Sequence, residues 1–178
     1  MTTLYKLTKS DGTTYGGCQW GEGVQHLTDG EGDLCGPGWT HWYTHPLLAV
    51  LLNPIHGCFD LATALLWEGE GTIGANDHGL KVGCKDGRTL RQMPLPEVTT
   101  EQRVKFAILC SLAVKKQWKG KAAYTRWAEA WLDGSDRSEA AAWAAVVAAA
   151  EAAAWAAMAA RAAEADIDLI AIAEEAVK

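Results

Sequence analysis

Between Gly36 and His45 the chain reads GPGWTHWYTH, which places two histidines, two tryptophans and a tyrosine within ten residues. Aromatic side chains of this density offer flat surfaces on which a nucleobase can stack, at about 1–3 kcal/mol per base. Alternation along an extended segment puts Trp39, His41 and Tyr43 on one face and Trp42 on the other. Trp42 and His45 are expected to anchor the core, and Trp39, His41 and Tyr43 to face a ligand. Cations that could grip phosphate follow in the middle of the chain: Lys81, Lys85, Arg88, Arg91, Arg103 and Lys105. These nine residues make up the expected ligand site. Trp118, Tyr124 and Trp127 add further aromatic planes nearby in sequence.

Other chemistries find less support. His41 and His45 have the i, i+4 spacing of two metal ligands on a helix, but Pro46 places His41 in the preceding extended segment. His26, Cys35, His56 and Cys58 match no zinc-site spacing, so neither a metal nor a cofactor is expected. There is no G-x-S-x-G elbow, no P-loop and no G-x-G-x-x-G turn, and no catalytic residue is assigned. The five cysteines are odd in number, scattered and without a C-x-x-C pair, which favours reduced thiols and a cytoplasmic setting. The opening MTTLYKLTKS lacks the apolar core of a secretory signal, and no apolar run reaches the ~20 residues of a membrane span.

The charge of the 178-residue chain is −6 overall but unevenly spread. Eleven Lys and Arg residues lie from Lys81 to Arg126, with acidic sequence on both sides. A basic middle between acidic ends points to a local anion site and away from bulk nucleic acid.

The elements that must position these residues read as an α+β fold. Residues 1–96 are expected to form a small antiparallel β-rich domain with one short helix. LYKLT and TYGGCQW flank Ser10-Asp11-Gly12, a hairpin signal. A Gly-rich loop follows over residues 16–38. Thr44 is the expected N-cap of a buried helix with Pro46 in its first turn, ended by Asn53-Pro54. Residues 65–70, 80–85 and 88–93 have strand patterns, and Met93-Pro94-Leu95-Pro96 marks a boundary.

Residues 97–178 are expected to be helical, with helices near 100–118, 121–132, 137–164 and 166–177. Thr99 and Gln102 form a capping box, and Val104, Ala107, Ile108 and Leu112 an apolar stripe. Tyr124, Trp127 and Trp131 line the next helix up to Asp133-Gly134, and Asp136 with Glu139 repeats the capping signature. The third helix is about two-thirds Ala and repeats AAAWAA at 140–145 and 152–157. A spacing of 12 residues turns a helix about 120° beyond whole turns, so Trp143 and Trp155 point in different directions. Such a broad Ala/Trp surface requires cover, either from the chain itself or from a second subunit. Ile167, Ile170 and Ala171 are spaced as the apolar side of the last helix.

The layout resembles a group of uncharacterised phage and bacterial proteins. The resemblance rests on LYKLT-x-x-G-x-T-Y-G over residues 4–16, the Leu-Cys-x-x-Gly-Trp segment over 34–43, LLWEGEG over 65–71 and the Ala/Trp-rich helical tail over 140–163. It implies phage or bacterial origin without a firm activity. A fainter similarity joins the GPGWTHWY segment, the short helix and LLWEGEG to the middle of ADP-ribosyltransferase-like folds, which surround an NAD cleft. This chain departs from that pattern in LYKLT, which has no His or Arg for the nicotinamide ribose, and in lacking a Gln/Glu-x-Glu strand motif. The expectation is a non-catalytic phage protein that sequesters a nucleotide-type immune signal, a cyclic nucleotide or an ADP-ribose derivative, in the host cytoplasm. Two alternatives stand beside it: an interaction module that forms homo-oligomers through its Ala/Trp helix, and an ADP-ribosyltransferase-like enzyme.

Overall fold

The computed structural model describes residues 2–113, 122–138 and 167–178. The fold is α+β, and the chain divides into two compact units, Met1–Glu97 and Val98–Lys178. Of the long Ala-rich helix expected over 137–164, residues 137 and 138 are not helical and the rest, with Trp143 and Trp155, lies outside the described residues, as do Trp118 and the Tyr124 side chain.

In the first unit, β1 (Thr2–Thr8), β3 (Leu65–Gly71) and β6 (Arg88–Met93) form one antiparallel sheet in the order β1-β3-β6. A second sheet has the order β2-β5-β4, from β2 (Thr40–Trp42), β5 (Val82–Cys84) and β4 (Ile73–Asn76). Tyr5 and Tyr43 exchange two backbone bonds of 2.8 Å, which join β1 to the end of β2. β3 runs into β4 through Thr72. The two sheets are thus joined by chain continuity from β3 to β4 and by the Tyr5–Tyr43 bridge between β1 and the end of β2.

Leu4, Trp20, Trp42, Val82 and Cys84 form the core cluster at this junction. Trp42 is fully buried, and its indole N–H donates to Thr40 Oγ1 at 2.9 Å while that hydroxyl donates to the Cys84 carbonyl at 2.7 Å. The ring fits because its neighbours lack side chains: a Cβ on Gly69 would lie 2.5 Å from Trp42 Cζ3, and one on Gly87 2.7 Å from Thr40 Oγ1. Leu7, Ala49 and Leu66 form a second cluster, with Tyr5, Tyr43 and Phe59 against it.

Several local expectations need correction. Gly12 does turn the chain, with φ of +80°, but the residues after it form a 3-10 turn at Tyr15–Gly17 and no strand. β1 pairs with β3 instead, because LLWEGEG supplies a seven-residue partner where TYGGCQW is broken by Gly16 and Gly17 at positive φ. The cap of α1 (Pro46–Leu51) is His45, whose Nδ1 accepts from Leu47 N, and not Thr44. Asn53-Pro54 does not end the helical segment, since α2 (Asn53–His56) follows with Pro in its first turn.

In the second unit, α3 (Thr100–Ala113) opens with the expected capping box: Thr99 N donates to Gln102 Oε1 at 2.9 Å and Gln102 N to Thr99 Oγ1 at 3.2 Å. Val104 and Ile108 pack with Ala128 and Trp131 of α4 (Ala122–Asp133), which ends at Gly134 with φ of +81°. α5 (Leu169–Val177) is capped by Asp168 and buries Leu169, Ala173 and Ala176. The stripe expected from Ile170 and Ala171 is rotated, because helix entry at Leu169 sets the inward face and leaves Ala171 exposed.

Candidate functional site

β5 and its flanks alternate strictly. Leu80, Val82 and Cys84 turn into the core, so Lys81, Gly83 and Lys85 share the opposite face. On β2, His41 stands directly opposite Gly83. Trp39 lies over the space that Gly83 leaves: a Cβ there would come within 3.1 Å of the Trp39 side chain and 2.5 Å of Leu34 Cδ1. Gly74 on β4 extends this floor, since a Cβ there would lie 2.6 Å from Trp39 Cζ3. A glycine inside a strand marks close approach by another group, and here the group is an indole. Trp39 Nε1 donates to the Gly32 carbonyl at 3.1 Å, which fixes the ring in its plane. The half-buried indole is thus set between two lysines one strand pitch either side of Gly83.

The loop before β2 is pinned by the same strand. His41 Nε2 donates to the Leu34 carbonyl. Lys81 Nζ donates to Cys35 Sγ at 3.3 Å. Tyr43 stacks on His56 of α2 with ring centroids 5.8 Å apart, and its hydroxyl bonds His56 Nδ1 at 3.1 Å. Burial holds His41 below the ordinary imidazole range, with Lys81 and Lys6 adding to it and the Leu34 bond opposing. Burial, then Lys81, brings His56 down to about 4. Burial alone raises the Tyr43 phenol. Both imidazoles are neutral at pH 7, so Lys81 and Lys85 carry the positive charge of this face.

No family model matches the chain, and no curated protein or solved structure is significantly similar to it.

The nine expected residues divide four ways. Trp39, His41, Lys81 and Lys85 come together on the outer face of the second sheet, whereas Tyr43, expected to face a ligand, packs against the Leu7, Ala49 and Leu66 cluster with its hydroxyl on His56. Arg88 and Arg91 lie on β6 in the other sheet, where Arg91 makes a two-point ion pair with Glu68 at 2.9 and 3.2 Å. Arg103 and Lys105 belong to the second unit. Arg103 donates to the Val98 carbonyl, and Lys105 Nζ binds the Glu175 carbonyl at 2.7 Å near the end of α5. Sequence reasoning left out Gly74, Gly83, Leu34, Cys35 and His56 from this face. The available signal was Gly83 between two lysines in an otherwise regular strand.

A second polar group lies on the core side of β2. Lys6 of β1 is 6% exposed, donates to the His41 carbonyl at 2.5 Å, and has its Nζ 4.3 Å from the Trp20 ring and 4.7 Å from the Trp42 ring. Burial brings it down to about 7, against the opposing effect of Cys18 and Cys84. Nearby, Cys18 Sγ is 3.6 Å from His26 Nε2, which is also 2.7 Å from the Gln19 carbonyl. A carbonyl only accepts, so Nε2 carries a proton and cannot serve as the base for the thiol. Among the described residues, no group of three or more His, Cys, Asp or Glu could hold a metal ion, and no helix is long and apolar enough to cross a membrane.

Proposed function

We propose that the protein binds a small nucleotide-type ligand without converting it, on the Trp39 face of the second sheet. The observation that carries this reading is the immobilised indole over Gly74 and Gly83, between Lys81 and Lys85. A ring held on one side by backbone and at its edge by a hydrogen bond is pre-organised to stack on a base, so little ordering opposes binding. Lysines on both sides suit phosphates attached to that base. His41 borders the same face, and its hydrogen bond to the Leu34 carbonyl stiffens it.

Sequestration fits this arrangement better than turnover. In the Cys18–His26 pair the contacting nitrogen is committed to the Gln19 carbonyl. The resemblance of residues 4–16, 34–43 and 65–71 to phage proteins extends the proposal: a phage-encoded sponge for a cyclic nucleotide or ADP-ribose signal of host defence, acting in the host cytoplasm. The test is to incubate the protein with a panel of cyclic nucleotides and ADP-ribose derivatives, then quantify free ligand by chromatography and mass spectrometry before and after heating. Depletion followed by release of intact ligand is expected. Conversion would make the protein an enzyme, and no depletion from any member of the panel would refute the reading.

A further inference from the structure

His41 stands opposite Gly83 on the Trp39 face, and its ring is held by one hydrogen bond. The Leu34 carbonyl accepts from Nε2, and a carbonyl has no proton to give. The neutral ring is therefore the Nε2–H tautomer, and Nδ1 presents a lone pair. A lone pair repels an anion. Burial, and after it Lys81 just before β5 and Lys6 of β1, disfavours a positive charge on His41. The other titratable groups around this face are Cys35 in contact with Lys81, Tyr43 bonded to His56, and Asp77, which favours charge on His56.

We propose that His41 recognises the ligand's anionic group as an imidazolium, so that binding carries a proton onto Nδ1. This rests on the nucleotide-binding reading above and adds to it the way the site is regulated. In the free protein burial, with the two lysines adding to it, keeps the ring neutral. A phosphate seated against Lys81 reverses the local field, because an opposite charge within a few ångströms favours the charged form of its neighbour. The Leu34 bond persists through the change, since Nε2 donates in both states. Nδ1 then becomes a second donor that an anion can accept from, and a hydrogen bond it makes is charge-assisted. Linkage requires the reverse as well: affinity tightens as pH falls towards the range where His41 titrates, and weakens above it. The site thereby prefers phosphorylated ligands over neutral nucleosides by more than the charge of its lysines alone provides.

The test is calorimetric titration of the full-length protein with ADP-ribose and with 3′,5′-cyclic AMP from about pH 6 to 8, in buffers of different ionisation enthalpy. The expected result is uptake of up to roughly one proton, with Kd rising by up to about tenfold per pH unit. In His41→Gln, whose amide can still donate to the Leu34 carbonyl, the uptake disappears and the pH profile flattens. Ring-nitrogen NMR of the wild-type protein gives a readout independent of that variant: Nδ1 of His41 should pass from unprotonated to protonated on saturation. Binding with no proton uptake and an unchanged Nδ1 would overturn this inference and leave the binding reading standing. No binding of either probe across the pH range would overturn the inference together with the ligand classes on which it rests.

Discussion

Replacing Lys6 by Met should stabilise the protein at neutral and acidic pH, and the gain should shrink as pH rises. Lys6 sits in the core cluster with 6% exposure and one hydrogen-bond acceptor, the His41 carbonyl. Two indole faces compensate part of the lost hydration, yet its ammonium loses its proton at about 7 instead of 10.5. That difference, at about 1.36 kcal/mol per unit, corresponds to about 5 kcal/mol. The sign follows from where each state binds protons. The unfolded lysine keeps its proton to about 10.5 and the folded one only to about 7. Between those values the unfolded chain holds more protons, so raising the pH stabilises the fold. The cost is complete below about 7 and relieved by about 10.5. Met is of similar length, makes no such demand, and its sulfur suits aromatic neighbours. Urea unfolding followed by tryptophan fluorescence at several pH values from about 6.5 to 9 measures the effect directly. The stability of the wild type relative to Lys6→Met should rise by about 1.4 kcal/mol per pH unit above pH 7. Cys84, Cys110 and Tyr43 titrate upward of this range in both proteins and largely cancel in the difference. Parallel curves for the two proteins would refute the claim that the core holds a strained cation.

Three further substitutions test other parts of the account. Gly83→Ala places a methyl 2.5 Å from Leu34 Cδ1 and 3.1 Å from Trp39, so it should displace the indole, cost about 1–3 kcal/mol in unfolding experiments and weaken ligand binding. Thr40→Val removes the acceptor of the Trp42 indole N–H and the donor to the Cys84 carbonyl, and should cost about 2–4 kcal/mol in thermal or urea unfolding. Thr99→Ala opens the capping box of α3 and should cost about 1 kcal/mol, read as a loss of helical circular dichroism at lower denaturant concentration.

Patterns with one local cause were legible from sequence. Leu80–Lys85 reads as a strand because its residues alternate, and Thr99 with Gln102 caps α3 as two residues three apart can. Period two alone separates Trp42, in the core, from His41 on the other side of β2, but it gives no sign that Tyr43 packs against Leu7, Ala49 and Leu66. Pairing partners were not legible, since β1 finds β3 across almost sixty residues and nothing local opposes TYGGCQW except its two glycines at positive φ. The basic residues were gathered by proximity in sequence, but strand and unit boundaries separate them: Arg91 lies against Glu68, and Lys105 reaches the end of α5. The buried ammonium of Lys6 was invisible because LYKLT reads as an ordinary alternating strand, and its inward side depends on which sheet covers it.

The central claim is that a nucleotide-type ligand stacks on Trp39. The direct measurement is titration of the 15N-labelled protein with the ligand that the panel identifies, following the indole N–H signals of the nine tryptophans, with Trp39 assigned through Trp39→Phe. The Trp39 signal should shift strongly and saturate, Trp20 and Trp42 in the core should stay in place, and Trp39→Ala should lower affinity by about 1–3 kcal/mol, roughly 5- to 150-fold. A ligand that saturates the protein while leaving Trp39 unmoved, or that binds Trp39→Ala equally well, would contradict the account.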